Sequence, residues 1–233
     1  MRYVFLTTFF IVRCSGCISV DLLIYILHFS TQIIIFAYMK NIVFDLGRVV
    51  FAQDPTKSSA HFKQFFSYVS LTPMPQFWTD YDLGISSFDK VAADLAAYRG
   101  VEVEYASAMI REAIARQETI APTAALIADL KAAGYRLYVL SNMSREFIDF
   151  LREQPVYRHF DGEVISCEEG LAKPQPEIYD LLLARFDLVP DDTLFIDDRQ
   201  ENVEAAAEKG IHTVHFDRMN YEASCQRLRE MLL

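Results

Sequence analysis

The stretch NIVFDLGRVVF, residues 41–51, decides how the rest of the chain is read. Its opening apolar run is the right length for one buried strand of a parallel sheet, and it ends on an acid, Asp45, followed shortly by glycine and arginine. Similar runs recur at 136–140 (RLYVL), 163–166 (EVIS), 193–196 (TLFI) and 212–216 (HTVHF), with helical stretches at 122–133, 144–153, 175–186 and 200–209 between and beside them. Gly134 and Gly210 close two of these stretches, as helix ends favour. Strands alternating with helices predict an α/β fold: a Rossmann-like, doubly wound parallel sheet with helices on both faces.

The interval 55–120 breaks that rhythm. It carries no strand-like run and reads as helical segments at 58–70, 86–100 and 104–117. A structureless connection of that length is uncommon, so an all-helical cap inserted between core segments 39–54 and 121–233 is the economical reading. It leaves the core directly after the first strand, where it would overlie the carboxyl edge of the sheet. Its aromatic residues, with Phe77, Trp78 and Tyr81 among them, read as cap core. Asp82 is a candidate for the substrate side.

The formal charge of −10 excludes sequence-independent nucleic-acid binding, which needs clustered Lys and Arg. Four cysteines without a paired framework suggest a reducing compartment, and Cys14 and Cys17 have no second pair to complete a zinc site. His61, His159, His212 and His215 lack metal spacing. Residues 1–38 form an apolar extension, with runs at 3–12 and 22–39. The favoured reading is that Met39 is the natural start and the protein is cytoplasmic. The alternatives are a membrane anchor through residues 22–38, the one route to a membrane partner, and an ordered packing extension.

In an open parallel sheet, ligands bind beyond the carboxyl ends of the strands near the point where strand order reverses. The polar residues there are Asp45, Ser141 and Asn142, and the pair Asp197 and Asp198, while Lys173 lies in a loop stiffened by flanking prolines. Three carboxylates brought together need a cation, and an all-oxygen set describes Mg²⁺ better than zinc. A metal beside a lysine, a hydroxyl and main-chain N–H groups suits a phosphate dianion. A carboxylate in such a pocket can attack phosphorus to give an aspartyl-phosphate, and Asp45 is the candidate.

The segments FDLGRVV (44–50), LSN (140–142), LAKPQPEIY (171–179) and FIDDRQENVEAAAEKGI (195–211) resemble, in order and spacing, the four motifs of the haloacid dehalogenase superfamily. The subclass is the one with a helical cap after the first strand, and the first motif is similar to that of sugar-phosphate phosphatases with a D-L-G-x-V pattern. The resemblance implies a Mg²⁺-dependent phosphohydrolase acting on a small phosphorylated metabolite. It makes Asp45 the nucleophile and a metal ligand, and the Gly47 carbonyl a second ligand. Asp198 becomes the metal-binding acid, with Asp197 ordering a ligated water or sharing the metal. Ser141 and Asn142, with Leu46 and Gly47, would hold the phosphoryl group, and Lys173 would balance its charge.

The chain departs from the pattern at Gly47, where phosphatases of this superfamily usually carry a second aspartate as general acid and base. Losing such help typically lowers a rate by about 10² to 10⁴. Arg48, a cap residue or a metal-bound water are the candidate proton sources. Two rivals follow: a 2-haloacid dehalogenase, and a phosphometabolite-binding protein without turnover. No feature of the sequence sets an oligomeric state.

Overall fold

The computed structural model describes residues 39–71 and 73–233. The readings made of residues 1–38 lie outside these residues. Among the described residues, no helix is long and apolar enough to cross a membrane.

The chain opens with strand β1 (Asn41–Phe44) and a short strand β2 (Phe51–Gln53). Helices α1 (Ala60–Phe65), α2 (Gln76–Asp82), α3 (Phe88–Arg99) and α4 (Val103–Ala115) follow, and β3 (Gln117–Thr119) brings the chain back. Then come α5 (Ala121–Ala132), β4 (Arg136–Ser141), α6 (Arg145–Arg152), β5 (Gly162–Ile165), α7 (Ser166–Glu169) and α8 (Pro176–Phe186). The last elements are β6 (Thr193–Asp197), α9 (Gln200–Glu208), β7 (His212–His215) and α10 (Tyr221–Leu232).

Five of the described strands form one parallel sheet in the order β5-β4-β1-β6-β7. All four residues of β1 are buried, as a central strand covered on both faces requires. From β1 the chain fills one side through β4 and β5, then crosses back to lay down β6 and β7 on the other. That reversal puts the carboxyl ends of β4, β1 and β6 side by side, at the topological switch point where such sheets bind ligands. The α/β class read from the alternating pattern is the observed one.

Three elements were not legible. The strands β2 and β3 pair antiparallel, Phe51 with Thr119 and Gln53 with Gln117, and tie the two ends of the helical segment together. Each has three residues, too few for a period-two pattern. Helix α10 has a strongly charged face but buries Cys225 and Leu228, and the Tyr135 hydroxyl donates to the Leu232 carbonyl at 2.7 Å.

The helices α1 to α4 close around an aromatic core that includes Phe62, Phe65, Tyr68, Trp78 and Tyr81. Phe147 of α6 belongs to the same cluster, its ring meeting Trp78 edge-on with centroids 6.4 Å apart. Two polar contacts dock the helical segment on the sheet domain: Tyr81 Oη donates to Glu146 Oε2 at 2.6 Å, and Ser166 Oγ donates to the Asp82 carbonyl.

Candidate active site

Asp45 is placed by the sheet itself. Its N–H donates to the Ile196 carbonyl at 2.9 Å, so the backbone stays in the β6 ladder one residue past the end of β1. The chain then turns sharply: the Leu46 carbonyl accepts from the N–H groups of Val50 and Phe51 at 2.9 and 2.8 Å, and Arg48 takes φ +60°. A non-glycine residue in the left-handed region is uncommon and marks a turn set by its surroundings. Among the described residues the N–H groups of Leu46 and Gly47 have no acceptor. The Leu46 side chain is fully buried, so the backbone is what this residue can offer a ligand.

Lys173 is the centre of the cluster. Its ammonium donates to Asp45 Oδ1, Asp197 Oδ2 and the Leu140 carbonyl, each at 2.7 Å, so all three of its protons have acceptors. Its side chain is 2% exposed. Burial alone would lower its pKa, but the charges of Asp197 and Asp45 outweigh that and hold it raised. The loop carrying Lys173 is fixed by Asn142, whose amide donates to the Lys173 carbonyl and accepts from the Lys173 N–H, both at 2.8 Å. Asn142 therefore directs its side chain to the lysine's backbone. Ser141 Oγ donates to Asp45 Oδ1 at 3.1 Å.

The two acids after β6 have different surroundings. Asp197 is fully buried. Its Oδ1 accepts from the Arg199 N–H at 2.8 Å and from Asn202 at 3.1 Å, and its Oδ2 accepts from Asn202 at 3.0 Å as well as from Lys173. Asp198 Oδ2 accepts from Arg218 at 2.9 Å, while its Oδ1 has no donor among the described residues. Asp45 Oδ2 is free in the same sense. Asp45, Asp197 and Asp198 each bring one oxygen within 4.8 Å of the others. This crowding acts on Asp45: burial, opposed by Lys173 and reinforced by the charges of Asp197 and Asp198, pushes its pKa up to about 7. A carboxylate group held so far above its usual range, beside open carboxylate oxygens, fits a site that takes a hard cation.

The structure thus brings Asp45, Leu46, Gly47, Ser141, Asn142, Lys173, Asp197 and Asp198 to one edge of the sheet. An ideal Cβ at Gly47 would meet nothing nearer than Asp45 Oδ2 at 3.8 Å, an ordinary contact, so the backbone there does not itself require glycine. Two residues escaped the sequence reading. Asn202, inside the segment 195–211, is one: its amide donates to both oxygens of Asp197. Ser166 accepts from the Met143 N–H at 2.9 Å while donating to the helical segment, which joins the loop after β4 to α2. A polar residue closing the EVIS run was its one signal.

Comparison with known proteins agrees with this geometry. A family model described as haloacid dehalogenase-like hydrolase matches residues 39–210. The sesquiterpene phosphatase astK of Aspergillus oryzae is 27% identical over 195 residues, covering 83% of this chain and 96% of that protein. Acyl-CoA dehydrogenase family member 10 of Mus musculus is 32% identical over 139 residues, 58% of this chain, which spans only 12% of that relative's length. Among solved structures, one described as a predicted HAD-like family hydrolase from Porphyromonas gingivalis superposes with a TM-score of 0.66 at 30% identity, covering 83% of this chain and 98% of that one.

Proposed function

Because the chain belongs to the haloacid dehalogenase-like hydrolases, we propose that it is a Mg²⁺-dependent phosphatase that cleaves a small phosphate monoester through an aspartyl-phosphate on Asp45. The observation that carries this reading is the contact of one buried ammonium, that of Lys173, with both Asp45 and Asp197. Such an arrangement holds a nucleophilic carboxylate in one orientation and offers positive charge to an incoming phosphoryl group. The similarity to a phosphatase along 96% of that protein's length supports the phosphate ester over other leaving groups.

In this reading a carboxylate oxygen of Asp45 attacks phosphorus, and the ester P–O bond breaks with its electron pair passing to the alcohol oxygen. Ser141 and Lys173, both bonded to Oδ1, leave Oδ2 as the open oxygen. The unpaired N–H groups of Leu46 and Gly47 are suited to phosphoryl oxygens. Water then cleaves the aspartyl-phosphate and releases inorganic phosphate. Asp45, Asp198 and the Gly47 carbonyl would hold Mg²⁺, which supplies charge neutralisation for the transferring group. The helices between 55 and 120 serve as the cap that covers the reacting group, docked through Tyr81 and Asp82.

The test is phosphate release from a panel of phosphorylated metabolites with Mg²⁺ and with chelator, beside an Asp45→Asn control. Release that needs Mg²⁺ and disappears in the control is expected. Since a Cβ at position 47 meets only ordinary contacts, Gly47→Asp should speed turnover by at least about 10². A variant no faster than its parent would count against the missing-acid account. The glycine also favours a second reading, a phosphometabolite-binding protein. Thermal stabilisation by a sugar phosphate with no phosphate released over long incubation would select it.

A further inference from the structure

Beside the carboxylate cluster, the guanidinium groups of Arg48 and Arg218 approach Asp198, and Arg199 follows it in sequence. Arg48 lies in the turn after β1, Arg199 just before α9 and Arg218 after β7. Arg48 and Arg218 approach the same oxygen, Asp198 Oδ2, at 3.8 and 2.9 Å. Arg199 pairs through Nε with Glu201 at 2.8 Å. The Arg48 guanidinium makes no hydrogen bond among the described residues, although its side chain is only 37% exposed. It is held there by a backbone at φ +60°, with its own N–H fixed to the Phe51 carbonyl at 2.7 Å.

Like charges gathered without sufficient counter-charge repel. Asp198 Oδ2 already accepts from Arg218 at 2.9 Å, and the donors of Arg48 make no hydrogen bond among the described residues. Asp198 also sets the scale. Asp198 has an oxygen within 4.8 Å of oxygens of Asp45 and Asp197, and its Oδ2 receives Arg218 and is approached by Arg48. The two guanidiniums therefore flank a member of the carboxylate cluster that includes Asp45.

We propose that Arg48 and Arg218 form a subsite for a second anionic group on the substrate, a phosphate or a carboxylate a few bonds away from the ester that is cleaved. Arginine's planar fork binds such oxyanions through two parallel hydrogen bonds, and the open donors of Arg48 supply that geometry. The inference rests on the phosphatase reading and names its substrate class: monoesters whose leaving group is itself charged.

The test uses the full chain and matched pairs of esters that differ in the second group. The pairs are 3-phosphoglycerate with glycerol 3-phosphate, for a carboxylate, and glucose 1,6-bisphosphate with glucose 1-phosphate, for a phosphate. The readout is the ratio of kcat/KM within each pair, charged over uncharged. In the parent protein at least one ratio should exceed unity by about tenfold, and Arg48→Gln and Arg218→Gln should each lower it by about tenfold, with Arg48→Lys retaining part of the preference. Which pair responds tells carboxylate from phosphate. Ratios near unity in the parent, or variants that slow both members of a pair equally, would overturn the subsite and leave the arginines as partners of Asp198 alone. If the parent hydrolyses none of these esters, the phosphatase reading is what fails. Calorimetric titration of Asp45→Asn protein with 3-phosphoglycerate and glycerol 3-phosphate, and with the glucose pair, then decides the subsite separately. Tighter binding of a charged member that is lost in Asp45→Asn/Arg48→Gln supports it, and equal binding within both pairs overturns it.

Discussion

At the carboxyl edge of the sheet, Lys173, Asp45 and Asp197 are buried charges whose positions are set by hydrogen bonds of 2.7 Å. In the helical segment above them, Trp78, Tyr68 and Phe66 are buried aromatic rings whose positions are set by packing, with Tyr68 and Trp78 centroids 5.4 Å apart. Both regions are buried, yet they tolerate change differently. A charged cluster is all or nothing, because removing one member strands its partners in a medium that does not solvate them. An aromatic core loses area and contact roughly in proportion to what is removed. The comparison teaches where specificity of chemistry and where generality of shape reside: the first region dictates what bond can break, while the second dictates only that something is covered.

The sharpest way to break this contrast is Lys173→Met. It keeps much of the side-chain length and leaves Asp45 and Asp197 buried without their shared cation. We expect a loss of about 4 kcal/mol in urea unfolding in the presence of chelator. A loss under about 1 kcal/mol would mean that water or protonation relieves the cluster, and that its geometry is not enforced by charge. Trp78→Ala probes the other side. It should cost about 3 kcal/mol by the usual range for large-to-small changes in a core. Trp78→Phe, which keeps a ring, should recover most of that, whereas Lys173→Arg should recover little because its fork cannot meet three acceptors arranged for an ammonium.

The two regions also differ in how far they could be read before any coordinates. Asp45, Ser141 and Asp197 each close an apolar run, and Lys173 lies in a proline-flanked loop, so their convergence followed from strand order alone. The details did not follow. That Asn142 clamps the Lys173 backbone, or that Asn202 spans both oxygens of Asp197, depends on side-chain direction, which a strand-end position leaves open. Arg48, Arg199 and Arg218 are scattered along the sequence, and no spacing joins them. In the helical segment the aromatic residues announced a core, but β2 and β3 at its base were too short to register, and no residue type there names a ligand.

Where the regions meet, Asp82 connects packing to charge. It is partly buried under α2, and burial pushes its carboxyl up to about 8, with the Ser144 N–H and the Arg199 guanidinium pulling the other way. The folded chain therefore holds a proton that the unfolded chain has lost above its ordinary pKa of 3.8. The stabilising contribution is complete below that value and disappears as the pH rises towards 8. Allowing for the solvent that reaches a partly exposed carboxyl, stability should fall by about 1–2 kcal/mol between pH 5 and 8 from this group. Asp82→Asn should lessen the slope of thermal midpoint against pH over that window, leaving the part that Asp45, raised to about 7, contributes. An unchanged slope would assign the dependence to another group.

The smallest expected effect concerns the joint itself. Tyr81 has its ring in the aromatic core and its hydroxyl on Glu146 Oε2 of α6 at 2.6 Å, so it belongs to both regions at once. Tyr81→Phe removes one hydrogen bond and no buried apolar area, which should cost about 1 kcal/mol. If the hydroxyl acts chiefly to seat the helical segment on the sheet domain, proteolytic nicking or amide exchange in residues 60–115 should rise more than global stability falls. Equal changes in both would show that the aromatic rings around Trp78 and Phe147 suffice to hold the segment down, and that the polar bridge between the two regions is secondary to packing.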